Sequence, residues 1–273
     1  MPPAKLATLG VAMARQRMGQ HFLAGEGWQK RILATLPHDP GVWIEIGAGH
    51  GEMTRLLAAE GRRVIAIEAD SRLALNLKDR VRADPEKWPG VEVVSGDVLQ
   101  IDLGKLADGK FRVYGNLPYY ITSPILHHLF GYADRIASIH AVMQFEVAAR
   151  IAARPGRREY GYLSAACQFY ARPEIAFRIP PSAFRPPPRV TSALVHMALP
   201  GERASLGVSD DKRFLEFVGV CFGHKRKTLR NNLLGIASDQ RIHSALAASS
   251  LRPDARAEQL SLAQFSALLT NLE

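Results

Sequence analysis

Cysteine is scarce in this 273-residue chain, which carries only Cys167 and Cys221. Their wide separation excludes both a disulfide framework and a CxxC metal knuckle, and it points to a reducing compartment. Long apolar runs are missing too. No stretch reaches the roughly 18 to 20 residues that a membrane-spanning helix needs. The start, with Lys5, Arg15 and Arg17 among short mixed segments, has neither the apolar core nor the small-residue cleavage site of a secretory leader. A soluble, cytoplasmic protein is expected. Acidic residues are the minority charge: 26 Asp and Glu stand against 35 Lys and Arg, a formal charge of +9, which suits a polyanion or an anionic surface as partner. With 47% hydrophobic and 22% charged residues, the composition excludes disordered, collagen-like and low-complexity chains. The length suffices for one large core and a small second domain.

What is present is an alternation of strands and helices. Gly27 to Leu36 has helical spacing, with Trp28, Ile32 and Leu36 on one face, and Pro37 and Pro40 stop it. Val42 to Ile46 reads as a buried strand, Gly47 to Gly51 as a turn and Glu52 to Glu60 as a helix. The pattern repeats as strand Arg63 to Glu68, helix Arg72 to Arg82, and strands Val91 to Val94 and Phe111 to Tyr114. Helix Ile125 to Tyr132, strand Ile136 to Met143 and helix Glu146 to Ala153 follow. Tyr162 to Tyr170 reads as a further strand or long element, and Thr191 to Leu199 as an alternating strand after a proline-rich stretch. This order predicts an α/β fold with a mostly parallel sheet covered on both faces. Pro200 to Asp210 lacks periodicity, so a junction is expected there between a domain of residues 1–203 and a helical one of 210–273, whose Phe214, Leu229, Leu233, Leu234, Ile242, Phe265 and their neighbours recur at helical spacing.

The turn after the first of these strands, Glu45-Ile46-Gly47-Ala48-Gly49-His50-Gly51, lets a ligand approach the backbone where side chains would collide. Its glycines give GxGxG and not the GxGxxG of a pyrophosphate site, and Glu45 would repel a diphosphate but can hold an ammonium. Glu68 closes the next strand, suited to accepting hydrogen bonds from ribose hydroxyls. Asp97 follows the third, where it could accept a bond from the adenine amine or simply cap a turn. Asp70 is expected to cap a helix. Glu45, Glu68 and Asp97 on successive strands suit an adenosine that carries a cationic amino-acid group and no phosphate. The arrangement resembles the cofactor site of class I methyltransferases that use S-adenosylmethionine. His21, His50, His127 and His128 have no recognisable metal-ligand spacing, so no metal is expected.

Directly after the fourth strand comes Asn116-Leu117-Pro118-Tyr119, within NLPYYITSP. The Asn116 amide oxygen and the Leu117 carbonyl can accept the hydrogens of an adenine exocyclic amine, Pro118 stiffens the turn, and Tyr119 offers a ring for an extruded base. A rigid turn with Tyr119 in the core is the bland alternative, and Tyr120 is expected to point away into packing. With these residues the chain resembles the rRNA adenine N6,N6-dimethyltransferases, which modify two adjacent adenosines near the 3′ end of small-subunit rRNA. Further segments carry the resemblance over essentially the whole chain. Gly19-Gln20-His21-Phe22-Leu23 is similar to the family's GQNFL, with His21 for asparagine. Gln144 to Ala148 is similar to QKEVA, with Phe145 for lysine. Phe184 to Ser192 is similar to FxPxPxVxS, and His224 to Leu233 to RRKTLRNNL.

The resemblance implies a Rossmann-like, mostly parallel seven-stranded sheet with helices on both faces and a small C-terminal helical domain for RNA recognition. It implies S-adenosylmethionine as cofactor, held by Gln20, His21, Leu23, Glu45, Gly47, Gly49, Glu68, Asp97 and Asn116. Asn116, Leu117, Pro118, Tyr119 and Phe184 would form the catalytic pocket, with Phe184 as the second wall of the base slot. Phosphate would meet Arg185, Arg189, Lys225, Arg226, Lys227 and Arg230. Between residues 150 and 203 nine arginines stand against three glutamates, which adds to that positive charge. The implied partner is small-subunit rRNA in an immature ribosomal particle, approached by a monomer with no membrane involved. The alternatives are a large-subunit rRNA dimethylase, a noncatalytic assembly factor and a DNA adenine methyltransferase. An NAD oxidoreductase fits the glycine spacing badly.

Overall fold

The computed structural model describes residues 21–38 and 40–273. Short strand β1 (Phe22–Leu23) and helix α1 (Glu26–Leu33) lead into an alternating series: β2 (Val42–Ile46), α2 (Glu52–Ala59), β3 (Arg63–Glu68), α3 (Ser71–Ala83) and β4 (Val91–Ser95). Then come β5 (Phe111–Asn116), α4 (Thr122–Phe130), β6 (Ile136–Gln144) and α5 (Phe145–Ile151). Helix α6 (Tyr162–Tyr170) and strands β7 (Arg172–Ile179), β8 (Phe184–Arg185) and β9 (Ser192–Ala198) precede a helical end, α7 (Asp211–Cys221), α8 (Leu229–Leu233), α9 (Asp239–Ala248) and α10 (Leu262–Leu272).

The main sheet has seven strands in the order β4-β3-β2-β5-β6-β9-β7, and β1 pairs separately with β8. β2 pairs in parallel with β3 and β5, β3 with β4, and β5 with β6. The hydrophobic runs of β2 and β3 are buried on both faces, from Trp43 to Ile46 and from Val64 to Ile67, as strands covered by helices on either side require. The registers Ile46↔Ile67, Ile46↔Gly115 and Glu68↔Ser95 bring the carboxyl ends of these strands to one edge. From β2 the chain steps outward through β3 to β4, then returns to the other side of β2 with β5. Ligands of open α/β sheets sit at such a reversal.

The chain divides into two compact units. One takes the described residues up to Ala148 together with Ile175–Met197, and the other takes Ala149–Glu174 and Ala198–Glu273. In the first, Ile32, Leu36, Trp43, Met53, Leu57, Tyr114, Val142, Ile179, Phe184 and Leu194 form a buried cluster. In the second, Tyr160, Ala165, Ala166 and Phe169 join Phe214, Val218, Leu229, Leu233, Ile242, Leu246, Leu262 and Phe265. This differs from a contiguous division at residues 203–210, because the apolar face of α6 is covered by helices that follow much later in the chain. A tilted contact between the rings of Phe169 and Phe214, with centroids 5.0 Å apart, is part of that cover.

Three local expectations need correction. Tyr162–Tyr170 is a helix and not a strand: Ser164 to Cys167 are all buried, so burial there shows no period, but Ala165, Ala166 and Phe169 fall on one helical stripe. β7 was hidden by Pro173, which a strand tolerates at a sheet edge, where β7 lies. Leu234 is 49% exposed and not part of the helical core, because α8 ends at Leu233. Elsewhere the ends follow their capping residues: Asp70, Asp210, Ser238 and Ser261 each accept a backbone N–H at a helix start. No helix among the described residues is long and apolar enough to cross a membrane.

Phe169→Ala should cost about 3–5 kcal/mol of stability, the usual loss for emptying a buried aromatic site. Urea titration of the full chain measures it, and a loss below about 1 kcal/mol would place α6 outside that core.

Candidate active site

The turn after β2 begins with Gly47 N–H and Ala48 N–H on the Ile67 carbonyl, at 2.9 and 3.2 Å, and closes with Gly51 N–H on Ala48 at 2.9 Å. Gly49 must be glycine for two reasons: its φ is +57°, and a Cβ there would meet the Phe22 ring at 2.9 Å. Its N–H donates to Glu68 Oε2 at 2.8 Å while Asp70 N–H donates to Oε1 at 2.9 Å. The buried Glu68 carboxylate is thereby locked in orientation, with lone pairs left for further donors. Asp70 caps α3, as its place before a helix suggested. Asp97 Oδ1 caps a turn by accepting Leu99 N–H at 3.0 Å, and the residue lines the cavity at the sheet edge.

That cavity is lined by His21, Phe22, Ile46, Gly47, Ile67, Glu68, Gly96, Asp97 and Val98, and by the whole run Asn116 to Ile121. At its floor the Leu117 N–H bonds Val142 O at 2.9 Å, which continues the β5–β6 pairing. Asn116 donates its amide N–H to the His21 carbonyl at 2.7 Å. The His21 ring in turn donates from Nδ1 to the Pro186 carbonyl at 2.8 Å and lies 5.6 Å from the ring of Tyr119. The Tyr119 hydroxyl bonds Ser192 Oγ at 2.5 Å, which anchors a half-buried ring. Burial pushes that phenol up, with the Ser192 bond opposing.

A smaller cleft next to this cavity is lined by Phe22, Leu23, Gln29, Glu45, Gly47, Glu52, Tyr114 and Asn116. Glu45 is buried, accepts Thr54 Oγ1–H at 2.5 Å, and has its pKa pushed up from 4.5 to about 8. Burial is the main cause and the charges of Glu52 and Glu68 add to it, while the Thr54 bond opposes. The Tyr114 hydroxyl beside it is buried without a hydrogen-bond partner, and burial pushes its pKa upward. A cleft holding a proton-retaining carboxyl and an orphaned phenol fits the charged amino-acid end of a cofactor.

Phe184 needs correction as a pocket wall. Its side chain is fully buried, and its β8 pairing with Leu23 directs it into the core cluster with Ile179 and Leu194, leaving no face for a base. Gln20 lies outside the described residues. Leu23 is held by Gln29, whose amide donates to its carbonyl at 3.0 Å. Gln29 and Glu52 were not anticipated, and a buried glutamine on the apolar face of α1 was the available signal. Tyr120 was expected in packing and is 62% exposed.

The cations expected to meet phosphate, Arg185, Arg189, Lys225, Arg226, Lys227 and Arg230, are all exposed. Arg185 also bonds the carbonyls of Ser182 and Phe184, and Lys225 the carbonyl of Arg158 at 3.0 Å. Arg230 is held in a two-pronged ion pair with Asp239, at 2.5 and 2.8 Å. The turn carrying Lys225 to Lys227 is clamped by Asn232, which accepts His224 N–H and donates to Cys221 O. Among the described residues no cluster of His, Cys, Asp and Glu could hold a metal. Cys167 and Cys221 are buried thiols whose pKa values burial raises.

The parallel sheet, the glycine turn and the carboxylates along one edge define a Rossmann-like class I methyltransferase. Two solved structures share the fold: a dimethyladenosine transferase from Plasmodium falciparum, with a TM-score of 0.74 at 24% identity over 92% of this chain and 96% of that one, and the 23S rRNA methyltransferase ErmE, 0.71 at 26% over 92% and 99%. Curated relatives are more alike in sequence. A ribosomal RNA small subunit methyltransferase A from Xanthomonas campestris is 40% identical, covering 93% of this chain and 94% of its own, and one from Acinetobacter baylyi is 38% identical over 93% and 91%. The family model for ribosomal RNA adenine dimethylase matches residues 11–273, and the chain belongs to that family.

Glu45 makes stability depend on pH. The folded state keeps its proton up to about pH 8, whereas the unfolded chain releases it near 4.5. Its stabilising contribution is therefore full below 4.5 and is lost as pH rises through about 8. Glu45→Gln should remove that decline, leaving the variant more stable than the parent at pH 8 by an amount on the order of a few kcal/mol. Thermal melts of the ligand-free protein across pH 5 to 9 measure it, and parallel profiles for the two proteins would contradict the assignment.

Proposed function

We propose that this chain transfers methyl groups from S-adenosylmethionine to N6 of two adjacent adenosines near the 3′ end of small-subunit rRNA, acting as a cytoplasmic monomer on an immature ribosomal particle. The observation that carries the reading is Asn116: its amide N–H is committed to a backbone carbonyl, and it lines a cavity together with Tyr119, Glu68 and Asp97. The 40% identity to small-subunit enzymes, against 26% to a large-subunit one, supports the small subunit as target.

S-adenosylmethionine, when bound, would supply an electrophilic sulfonium methyl group as the donor to N6. Glu68 would accept the ribose hydroxyls, Asp97 the adenine amine, and Glu45 with Tyr114 would meet the amino-acid end. Glu45 must lose its proton to pair with an ammonium, so cofactor binding should release protons below about pH 8. Asn116 Oδ1 and the Leu117 carbonyl would accept the two hydrogens of the target amine, orienting a nitrogen whose lone pair is otherwise spread into the ring. No general base is required, because the amine becomes acidic once it has gained positive charge. Tyr119 would stack the extruded adenine. Arg185, Arg189, Lys225, Arg226 and Lys227 would hold phosphates, and Arg230 would keep the basic turn in place through Asp239.

Radiolabelled methyl transfer to immature small subunits, followed by mapping of the modified adenosines, tests the reading directly. Asn116→Ala should lower kcat by roughly 100-fold or more and weaken cofactor binding by a smaller factor, and Glu68→Ala should weaken cofactor binding by roughly 10-fold or more. Equal turnover for Asn116→Ala and the parent would refute the catalytic assignment, and label confined to large-subunit rRNA would refute the target.

A further inference from the structure

The loop that carries Asn116 and Tyr119 runs on into a second tyrosine that the amine chemistry does not use. Tyr120 lines the same cavity as Glu68, Asn116 and Tyr119, yet 62% of it is exposed, the most of any large apolar side chain among the described residues. The two neighbouring rings are held differently. Tyr119 is half-buried and tethered through its hydroxyl to Ser192, whereas the Tyr120 hydroxyl makes no hydrogen bond among the described residues. The backbone under Tyr120 is nonetheless stiff. Pro118 begins the turn, and its carbonyl accepts both Ile121 N–H at 3.2 Å and Thr122 Oγ1–H at 3.1 Å. A broad ring is thus presented to solvent from a fixed base, at the mouth of a pocket that accepts one base.

The rim offers cations as well. His21, which lines this cavity, is bonded to the Pro186 carbonyl at 2.8 Å, and β1 pairs with β8 through Phe22↔Arg185. These contacts fix the start of the loop that bears exposed Arg185 and Arg189. An open aromatic face with arginines on an adjoining loop is the combination that binds single-stranded nucleic acid, with stacking for the bases and cations for the backbone. We propose that Tyr120 is the stacking platform for the nucleobase flanking the adenine under methylation. It would be a positioning residue that decides which of two adjacent nucleotides is extruded beside Asn116. This rests on the reading of the site as an adenine pocket acting on RNA. A flanking base suits it better than a protein side chain because the extruded nucleotide brings its covalent neighbours to the pocket mouth each time the site is filled.

The test is methyl transfer to immature small subunits by the full chain and by Tyr120→Ala, Tyr120→Leu and Tyr120→Phe, with kcat, KM and the label at each adenosine measured separately. Losing one base stack should raise KM for the particle about 5- to 150-fold in the alanine and leucine variants, with a smaller change in kcat and an altered ratio between the two adenosines. Tyr120→Phe, which keeps the ring, should restore the parent values, and the cofactor dissociation constant should be the same in all four proteins. An unchanged KM in Tyr120→Ala, a leucine variant that matches the parent, or a fall in kcat alone would each overturn the proposal. Failure of the parent itself to label small subunits would overturn the functional reading instead.

Discussion

Asn116 gives its amide N–H to the His21 carbonyl across 2.7 Å, and because a carbonyl can only accept, this contact fixes which way the amide is turned. The amide oxygen is left to accept, at the end of a strand that lies beside the one leading into Gly47, and Glu68 ends the strand after that. The same His21 reaches Pro186 through its ring and faces Tyr119. The residue just before the short first strand therefore joins the Asn116 amide, the Tyr119 ring and the proline-rich loop. Without that tether the amide could rotate and turn its N–H groups toward the cavity.

The carboxylates along the sheet edge divide their work by what surrounds them. Glu68 is met by two backbone N–H groups, from Gly49 and Asp70, which hold it as a fixed acceptor and brace the glycine turn. Glu45 has a single hydroxyl partner in Thr54, and burial with two acidic neighbours makes it retain its proton to about pH 8. An uncharged Glu45 avoids the cost of an unpaired buried charge until a cation arrives. Asp97 sits in the open and serves as a cap, so it is ordered before any ligand binds.

The basic residues show a similar division. Arg230 is committed to Asp239 and Asn232 clamps the turn before it, which leaves Arg226 and Lys227 presented on a held backbone. Phe145, where the QKEVA segment that this stretch resembles has lysine, lies under the guanidinium of Arg178 at 3.8 Å. A cation is thus kept at that position, supplied from β7.

Much of the fold and the centre of the site were legible in the sequence because they depend on local pattern. Buried parallel strands need continuous apolar runs, a close backbone approach needs glycine, and NLPY combines acceptors, a rigid turn and a ring within four residues. Those features led to the sheet, the glycine turn, Glu68, Asp97 and Asn116. The tertiary structure alone decided which distant segment covers each face. Phe184 is core because Leu23 pairs beside it. The apolar face of α6 belongs with α7 because Phe214 meets Phe169, and Tyr120 stays open because nothing in the described chain folds over it. Periodicity reports that a side chain has a face to bury. Whether that face meets a core, a partner strand or solvent depends on residues far away in the chain.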